Sequence, residues 1–193
     1  MGEWSDLLAR TYGEGIDGAA ELDLTTTPPT VDVPATRWRD ALALARDVAG
    51  CSFFDWLSAV DEGPDGFRMV AHVARHGRGH VDHVLVRALL PRGQPVVASV
   101  CGLYRGAVWH ERETHEMFGI DFADEAGAVL AMDALLLPEE FEGHPLRKEF
   151  VLAARVAKPW PGAKDPGEPD GGARRRLRPP GDPGPGAWDE TDG

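Results

Sequence analysis

The densest run of residues able to do chemistry is Trp109-His110-Glu111-Arg112-Glu113-Thr114-His115-Glu116. A His-Glu pair followed by a second histidine invites comparison with the zinc-protease helix His-Glu-x-x-His, whose two ligands stand four residues apart on one face. Here His110 and His115 are five apart. That turns them roughly 140° from each other at about 100° per residue. The spacing argues against a zinc pair. The plainer reading is a helix with an Arg112/Glu116 ion pair at i, i+4, which adds little to stability.

A second cluster is His72, His76, His80 and His83. On strands, His72 and His76 share a face and a turn brings His80 across. A transition-metal site there lacks an evident carboxylate or thiolate to complete it, or any outer partner to orient the rings. Carboxylates are abundant at Glu111, Glu113, Glu116, Asp121, Asp124, Glu125, Glu139 and Glu140. A hydrolase needs two of them converging with separated pKa values, and an acidic chain makes mere neighbours common. Cys51 and Cys101 belong to no Cys-x-x-Cys pair. An iron–sulfur cluster usually takes four thiolates, so this chain holds none alone. A structural zinc site is equally unsupported, and both cysteines are expected to be reduced, buried thiols. No Gly-x-Ser-x-Gly elbow, phosphate-binding loop or dinucleotide fingerprint occurs. The expected sites are therefore catalytic, none; cofactor-binding, none; metal, none.

The net charge of −12 and pI near 4.9 exclude DNA or RNA as an expected partner, since binding needs a cationic surface. No stretch approaches the roughly 20 apolar residues of a transmembrane helix. The opening Met1-Gly2-Glu3-Trp4-Ser5-Asp6 lacks the basic-then-apolar pattern of a secretory signal, so the cytoplasm is the expected compartment.

The elements that must position these residues can be read from periodicity. Ser5 to Tyr12 reads as a short amphipathic helix. Asp23 to Val33 reads as a strand interrupted by Pro28-Pro29, hence an edge or a loop. A helix starts at Pro34-Ala35-Thr36, with Trp38, Leu42, Ala45 and Val48 recurring at helical spacing, and stops at Gly50. Phe53–Val60, Phe67–Arg75 and His80–Leu90 follow as strands with short Gly-containing links, which predicts an antiparallel meander. In the last of them Val84, Val86 and Ala88 share one side with Asp82. Val96 to Phe118 is helical in its C-terminal half and stops at Gly119. Leu135-Leu136-Leu137-Pro138 is extended or a turn. The fold class is α+β: a small antiparallel or mixed sheet packed against helices, not repeated βαβ units. The expected domain is 1–157. Residues 158–193 are dominated by Pro and Gly and poor in aliphatics, which predicts an extended or disordered tail.

Two blocks together carry a resemblance. Trp109 to Phe122 resembles the signature of the 30-kDa subunit family of respiratory complex I, the NADH–quinone oxidoreductase: Trp, any residue, Glu-Arg-Glu, a spacer, then Met/Leu-Phe-Gly-Ile and a nearby Phe. About twenty residues on, Leu137-Pro138-Glu139-Glu140-Phe141-Glu142-Gly143-His144-Pro145-Leu146-Arg147-Lys148-Glu149-Phe150 is similar to the family's closing block. Phe53 to Glu62 is similar to its early strand, and the likeness runs over roughly residues 5 to 152. One stretch departs. Where the family often has a first Gly-His-Pro, this chain reads Ala123-Asp124-Glu125-Ala126-Gly127-Ala128-Val129-Leu130.

The resemblance implies a cofactor-free structural subunit in the peripheral arm of a proton-translocating NADH–quinone oxidoreductase, on the cytoplasmic face of the cell membrane. Its implied partners are the quinone-pocket (49-kDa-like) subunit and the iron–sulfur subunits, with FMN, iron–sulfur clusters and quinone held by those partners. The implied interface residues are Trp109, Glu111, Arg112, Glu113, Met117, Phe118, Gly119, Ile120, Phe122, Gly143, His144, Pro145, Leu146, Arg147 and Lys148. Arg147 is expected to fork onto a partner's carboxylate, so that Arg147→Ala would harm assembly more than folding. The departure at 123–130 keeps an alternative open: the equivalent subunit of a complex I-like enzyme fed by ferredoxin or another donor, or of a membrane-bound hydrogenase. A stand-alone metal-dependent hydrolase built on the histidines is the reading from another class.

Overall fold

The structure is a computed structural model that describes residues 2–77, 79–138 and 141–151. The expected tail at 158–193, the domain limit at 157 and the carboxylates Glu139 and Glu140 lie outside the described residues. In chain order the elements are α1 (Glu3–Gly15), β1 (Glu21–Asp23), β2 (Thr30–Pro34), α2 (Trp38–Asp47), β3 (Phe53–Asp61), β4 (Phe67–His76), β5 (Val81–Leu90), β6 (Val96–Ala98), α3 (Ala107–Phe118) and β7 (Asp121–Ala123). No described helix is long and apolar enough to cross a membrane.

Five strands form one sheet in the order β1-β2-β5-β4-β3. The β3–β4–β5 meander is antiparallel, as the Gly-containing links predict. The sheet is nevertheless mixed, because β2 runs parallel to β5. The Pro28-Pro29 interruption does not end a single edge strand. It lies in the loop of a hairpin, in which β1 takes the edge and β2 the interior position. A second, two-stranded sheet pairs β6 with β7 in parallel, joined through α3. One small βαβ unit therefore sits inside an α+β chain.

Strand alternation decides which sheet face is the core. On β4 the inward residues Phe67, Met69, Ala71 and Val73 are fully buried. On β5 the same is true of Val84, Val86 and Leu90, with Ala88 beside them. Trp38, Ala41, Leu42 and Ala45 of α2, Leu8 and Tyr12 of α1, and Phe118 of α3 belong to the same cluster. Helical spacing from Trp38 puts Val48 on the buried side of α2, and the structure does not. Val48 caps the helix, its amide still donating to the Leu44 carbonyl at 3.0 Å, but past the last full turn its side chain is 55% exposed. Cys51 is buried in this core, while Cys101 is half-buried. Burial pushes the Cys51 thiol up to about 12 and the Cys101 thiol up to about 11, so neither offers a thiolate at neutral pH.

Candidate functional site

The signature run is α3 and its exit. Glu111 points inward and is 1% exposed. Its Oε1 accepts the Val100 amide at 2.7 Å, and its Oε2 accepts the Ser99 hydroxyl at 2.8 Å and the Cys101 thiol at 3.2 Å. One buried carboxylate thus gathers the 99–101 loop between β6 and α3. Burial raises its pKa, and the three donors pull it partly back. Glu116 does similar work at the helix's far end. Burial pushes its pKa up, but the amides of Leu135, Leu136 and Leu137 outweigh that and leave it lowered. Its carboxylate accepts the Leu135 and Leu136 amides, the latter at 2.8 Å. The expected Arg112/Glu116 pair is replaced by these bonds. Arg112 instead donates to the carbonyls of Asp133 and Ala134 at 3.0 and 2.6 Å.

The closing block seals the C-terminal end of the same helix. Gly119 stops α3 in the left-handed region at φ +67, where a residue without Cβ is free of strain. Arg147 Nε donates to the Phe118 carbonyl at 2.5 Å, and its guanidinium lies 5.2 Å over the Phe67 ring. A cation at the negative end of a helix is favourable. His144 Nδ1 sits 2.8 Å from the Glu116 carbonyl, and the Leu146 amide donates to the Met117 carbonyl at 3.1 Å. A Cβ on Gly119 would overlap both Arg147 and His144. The resemblance would have Arg147 reach outward to a partner. It turns inward, because the last carbonyls of α3 need donors that the helix itself cannot supply.

Asp61, at the end of β3, ties the block to the sheet. Its side chain is 2% exposed and pairs with Arg92 at 2.7 Å. It also accepts the amides of Gly63 and Lys148, both at 2.8 Å. Arg92 holds the Asp61 carboxyl well below the usual carboxylate range, and these amides add to the effect. Arg92 also pairs with Glu149. Nothing in the sequence links Asp61 to residues 31 and 87 positions away.

The fifteen implied interface residues therefore divide. Glu111, Phe118, Ile120 and Phe122 are buried inside the chain. Met117, Gly119, His144, Pro145 and Arg147 are half-buried. Trp109 is 57% exposed and Leu146 53% exposed. Glu113, Gly143 and Lys148 are also open. The Arg112 guanidinium, half-buried, lies 5.2 Å over the Trp109 ring.

The histidines split as well. His72 Nε2 and His83 Nδ1 are 3.1 Å apart, and His72 Nδ1 lies 2.8 Å from Asp55 Oδ2. His76 instead packs edge-on against Phe53, and His80 lies 3.4 Å from Asp82. His110 leaves the helix toward the Leu57 backbone, and His115 toward the Ile120 carbonyl. Among the described residues no three His, Cys, Asp or Glu side chains converge as a metal cage.

The fold is shared with two solved structures. Residues align with a chain of the membrane-bound sulfane sulfur reductase, an archaeal respiratory membrane complex, at TM-score 0.64 and 23% identity, covering 80% of this chain and 89% of that one. The trypsin-resistant fragment of Nqo5 aligns at TM-score 0.52 and 23% identity, covering 60% of this chain and 94% of the fragment. The family described as "Respiratory-chain NADH dehydrogenase, 30 Kd subunit" matches residues 31–156, and the chain belongs to that family. The NAD(P)H-quinone oxidoreductase J subunit of Synechococcus sp. (strain WH7803) is 40% identical over 119 residues, 57% of this chain and 63% of the relative. The NADH-quinone oxidoreductase C subunit of Salinispora arenicola (strain CNS-205) is 33% identical over 172 residues, 85% of this chain and 66% of the relative. The chain thus spans slightly less than two thirds of the length of these two relatives.

Proposed function

We infer that this chain is a structural, cofactor-free subunit of a proton-translocating NADH–quinone oxidoreductase. It would sit in the peripheral arm, on the cytoplasmic face of the cell membrane, and hold the quinone-pocket subunit and the iron–sulfur subunits in register. FMN, iron–sulfur clusters and quinone belong to those partners in this reading, and this chain contributes no catalytic residue. The observation that carries it is the family match over residues 31–156. The geometry agrees with a scaffold: the polar groups of the signature are spent on fixing the 99–101 loop, the exit of α3 and the closing block. The large aromatic side chain that the signature leaves exposed is Trp109, with Arg112 laid over it. Large aromatic and arginine side chains are the usual anchors of a protein interface.

A second reading keeps the scaffold and changes the machine, to a complex I-like enzyme with a ferredoxin-type donor or a membrane-bound hydrogenase. The Ala123–Leu130 stretch favours it. There Asp124 closes a turn of its own by accepting the amides of Ala126 and Ala128, both at 2.9 Å. Affinity capture of the tagged chain from gently solubilised native membranes separates the readings. Recovery of iron–sulfur, quinone-pocket and NADH-binding subunits together supports the first. Recovery of the first two without an NADH-binding subunit supports the second. Recovery of none overturns both.

A further inference from the structure

The sheet has a second face that no described helix covers. Strand register places its residues in rows. Val60, Arg68, Leu89 and Pro34 form one; Ser58, Val70, Arg87 and Asp32 the next; then Trp56, His72, Leu85 and Thr30. A β-bulge at Asp55 lets Phe54 turn toward the core while Trp56 and Phe53 face outward. Four large apolar side chains stand open here: Val60, Phe53, Val81 and Leu89, at 53, 47, 42 and 42% exposure. An antiparallel sheet face left to water is ordinarily polar, so this pattern marks a contact surface.

Four of the charges on this face are matched to one another. Glu62 pairs with Arg68 at 2.6 Å, Arg68 with Asp32 at 3.1 Å, and Arg87 Nε donates to the same Asp32 carboxylate at 3.0 Å. Two arginines and two carboxylates close on themselves. Asp55 and the two histidines form a second closed chain beside Trp56, whose ring stacks on His72 at 5.9 Å. Asp55 accepts, so His72 Nδ1 carries the proton. His72 Nε2 lies 3.1 Å from His83 Nδ1, which joins the two rings. The arginine–carboxylate group can thus be covered with its charges paired, while Asp55, on the edge strand β3 and 46% exposed, keeps its carboxylate in water at the rim.

That balance selects the occupant. The chain as a whole carries −12, so a second copy brought face to face would meet long-range repulsion. An anionic lipid surface or a nucleic acid would find no unpaired arginine or lysine among the described residues of the face. We propose that the outer face of β2–β5, centred on Trp56, His72 and Leu89, is the docking surface for a different subunit of the same complex that presents an uncharged, apolar protein surface. This deepens the function proposed above and rests on it. Strands of 5, 9, 10 and 10 residues at about 3.3 Å rise and about 4.8 Å spacing give a patch of roughly 500 Å². One partner contributes about 800 Å² to a standard interface, so the sheet face supplies most of such a contact and its rim the rest.

The experiment compares captures from native membranes by the tagged full-length chain, by Val60→Arg/Leu89→Arg, and by Val48→Arg, whose site is equally exposed but belongs to the helix side of the sheet. The double variant is expected to lose partner recovery by about tenfold or more, because each arginine would be buried unpaired; Val48→Arg is expected to keep it. Hydroxyl-radical labelling of Phe53 and Trp56 in the unmutated chain should fall several-fold between free and assembled protein, which needs no variant to fold. If the unmutated chain captures partners but the double variant captures them equally, or labelling is unchanged, the docking face is wrong and the proposed function stands. If the unmutated chain captures nothing, the proposed function itself falls. A homodimer of the purified chain that the double variant dissolves would overturn the choice of occupant.

Discussion

The signature helix with its closing block and the outer sheet face use polar groups in opposite ways. Around α3 they bond to backbone: Glu111 to the Val100 amide, Arg147 to the Phe118 carbonyl, Asp61 to the Lys148 amide. Each bond joins segments distant in sequence, so each is a fastening of the fold. On the outer face the polar groups bond chiefly to one another, side chain to side chain. They leave the backbone alone and neutralise the surface. The first region makes the shape, and the second leaves that shape presentable to a neighbour. Of the residues that read as interface charges in the sequence, Glu111 and Arg147 are internal struts, while Glu113 and Lys148 stay open.

That contrast breaks first at Glu111. Removing its carboxylate strands three donors and opens a cavity, so Glu111→Ala is expected to destabilise the chain by about 3–4 kcal/mol. Chemical denaturation of the purified chain measures it; a loss under about 1 kcal/mol would mean the 99–101 loop is held by something else. Gly119→Ala comes next, at about 2 kcal/mol, because the left-handed turn disfavours Cβ and the new methyl displaces Arg147 and His144. Faster proteolysis within residues 143–151 should accompany it. An unchanged cleavage rate would detach the closing block from the helix end.

Some of this is legible in the sequence and some is not. The period-two alternation of Val84, Val86 and Ala88 marks the buried side of β5 because one face of the meander is dry. β6 and β7 are three residues each, too short to alternate, so periodicity does not reveal the parallel pair around α3. The spacing from Trp109 to Phe122 marks a family block. It does not say which way each side chain points, and burial of Glu111 overrides the expectation that a charge faces outward. The carboxylate that partners His72 is Asp55, seventeen residues away. It reaches that ring from a bulge, which no periodicity reveals.

The two buried carboxylates also sharpen the comparison through pH, with opposite signs. Asp61 is held below its ordinary value, so its contribution is present above the unfolded carboxyl value, about 3.9, and drains away as pH falls through the lower folded value. Asp61→Asn should flatten that acid limb. Glu111 is raised by burial. Stability linked to it falls as pH rises from about 4.3 through its higher folded value, and Glu111→Gln should remove that decline. Denaturation midpoints across the acid and neutral range test both, and equal slopes in the variants and the unmutated chain would sink them. Arg147→Ala should cost about 1–2 kcal/mol in the isolated chain. A value near zero would return Arg147 to the outward role that the resemblance implies.

The smallest effect on stability is expected where the effect on assembly is largest. Leu89 is 42% exposed and its neighbours across the sheet are Arg68 and Pro34. Leu89→Arg removes little buried area, so the isolated chain should change by less than about 0.5 kcal/mol. The same change places a lone cation beside Arg68, whose charge is already satisfied by Glu62 and Asp32. If thermal unfolding of the purified variant drops by many degrees, the outer face is part of the fold's own support, and the division between a region that fastens and a region that presents does not hold.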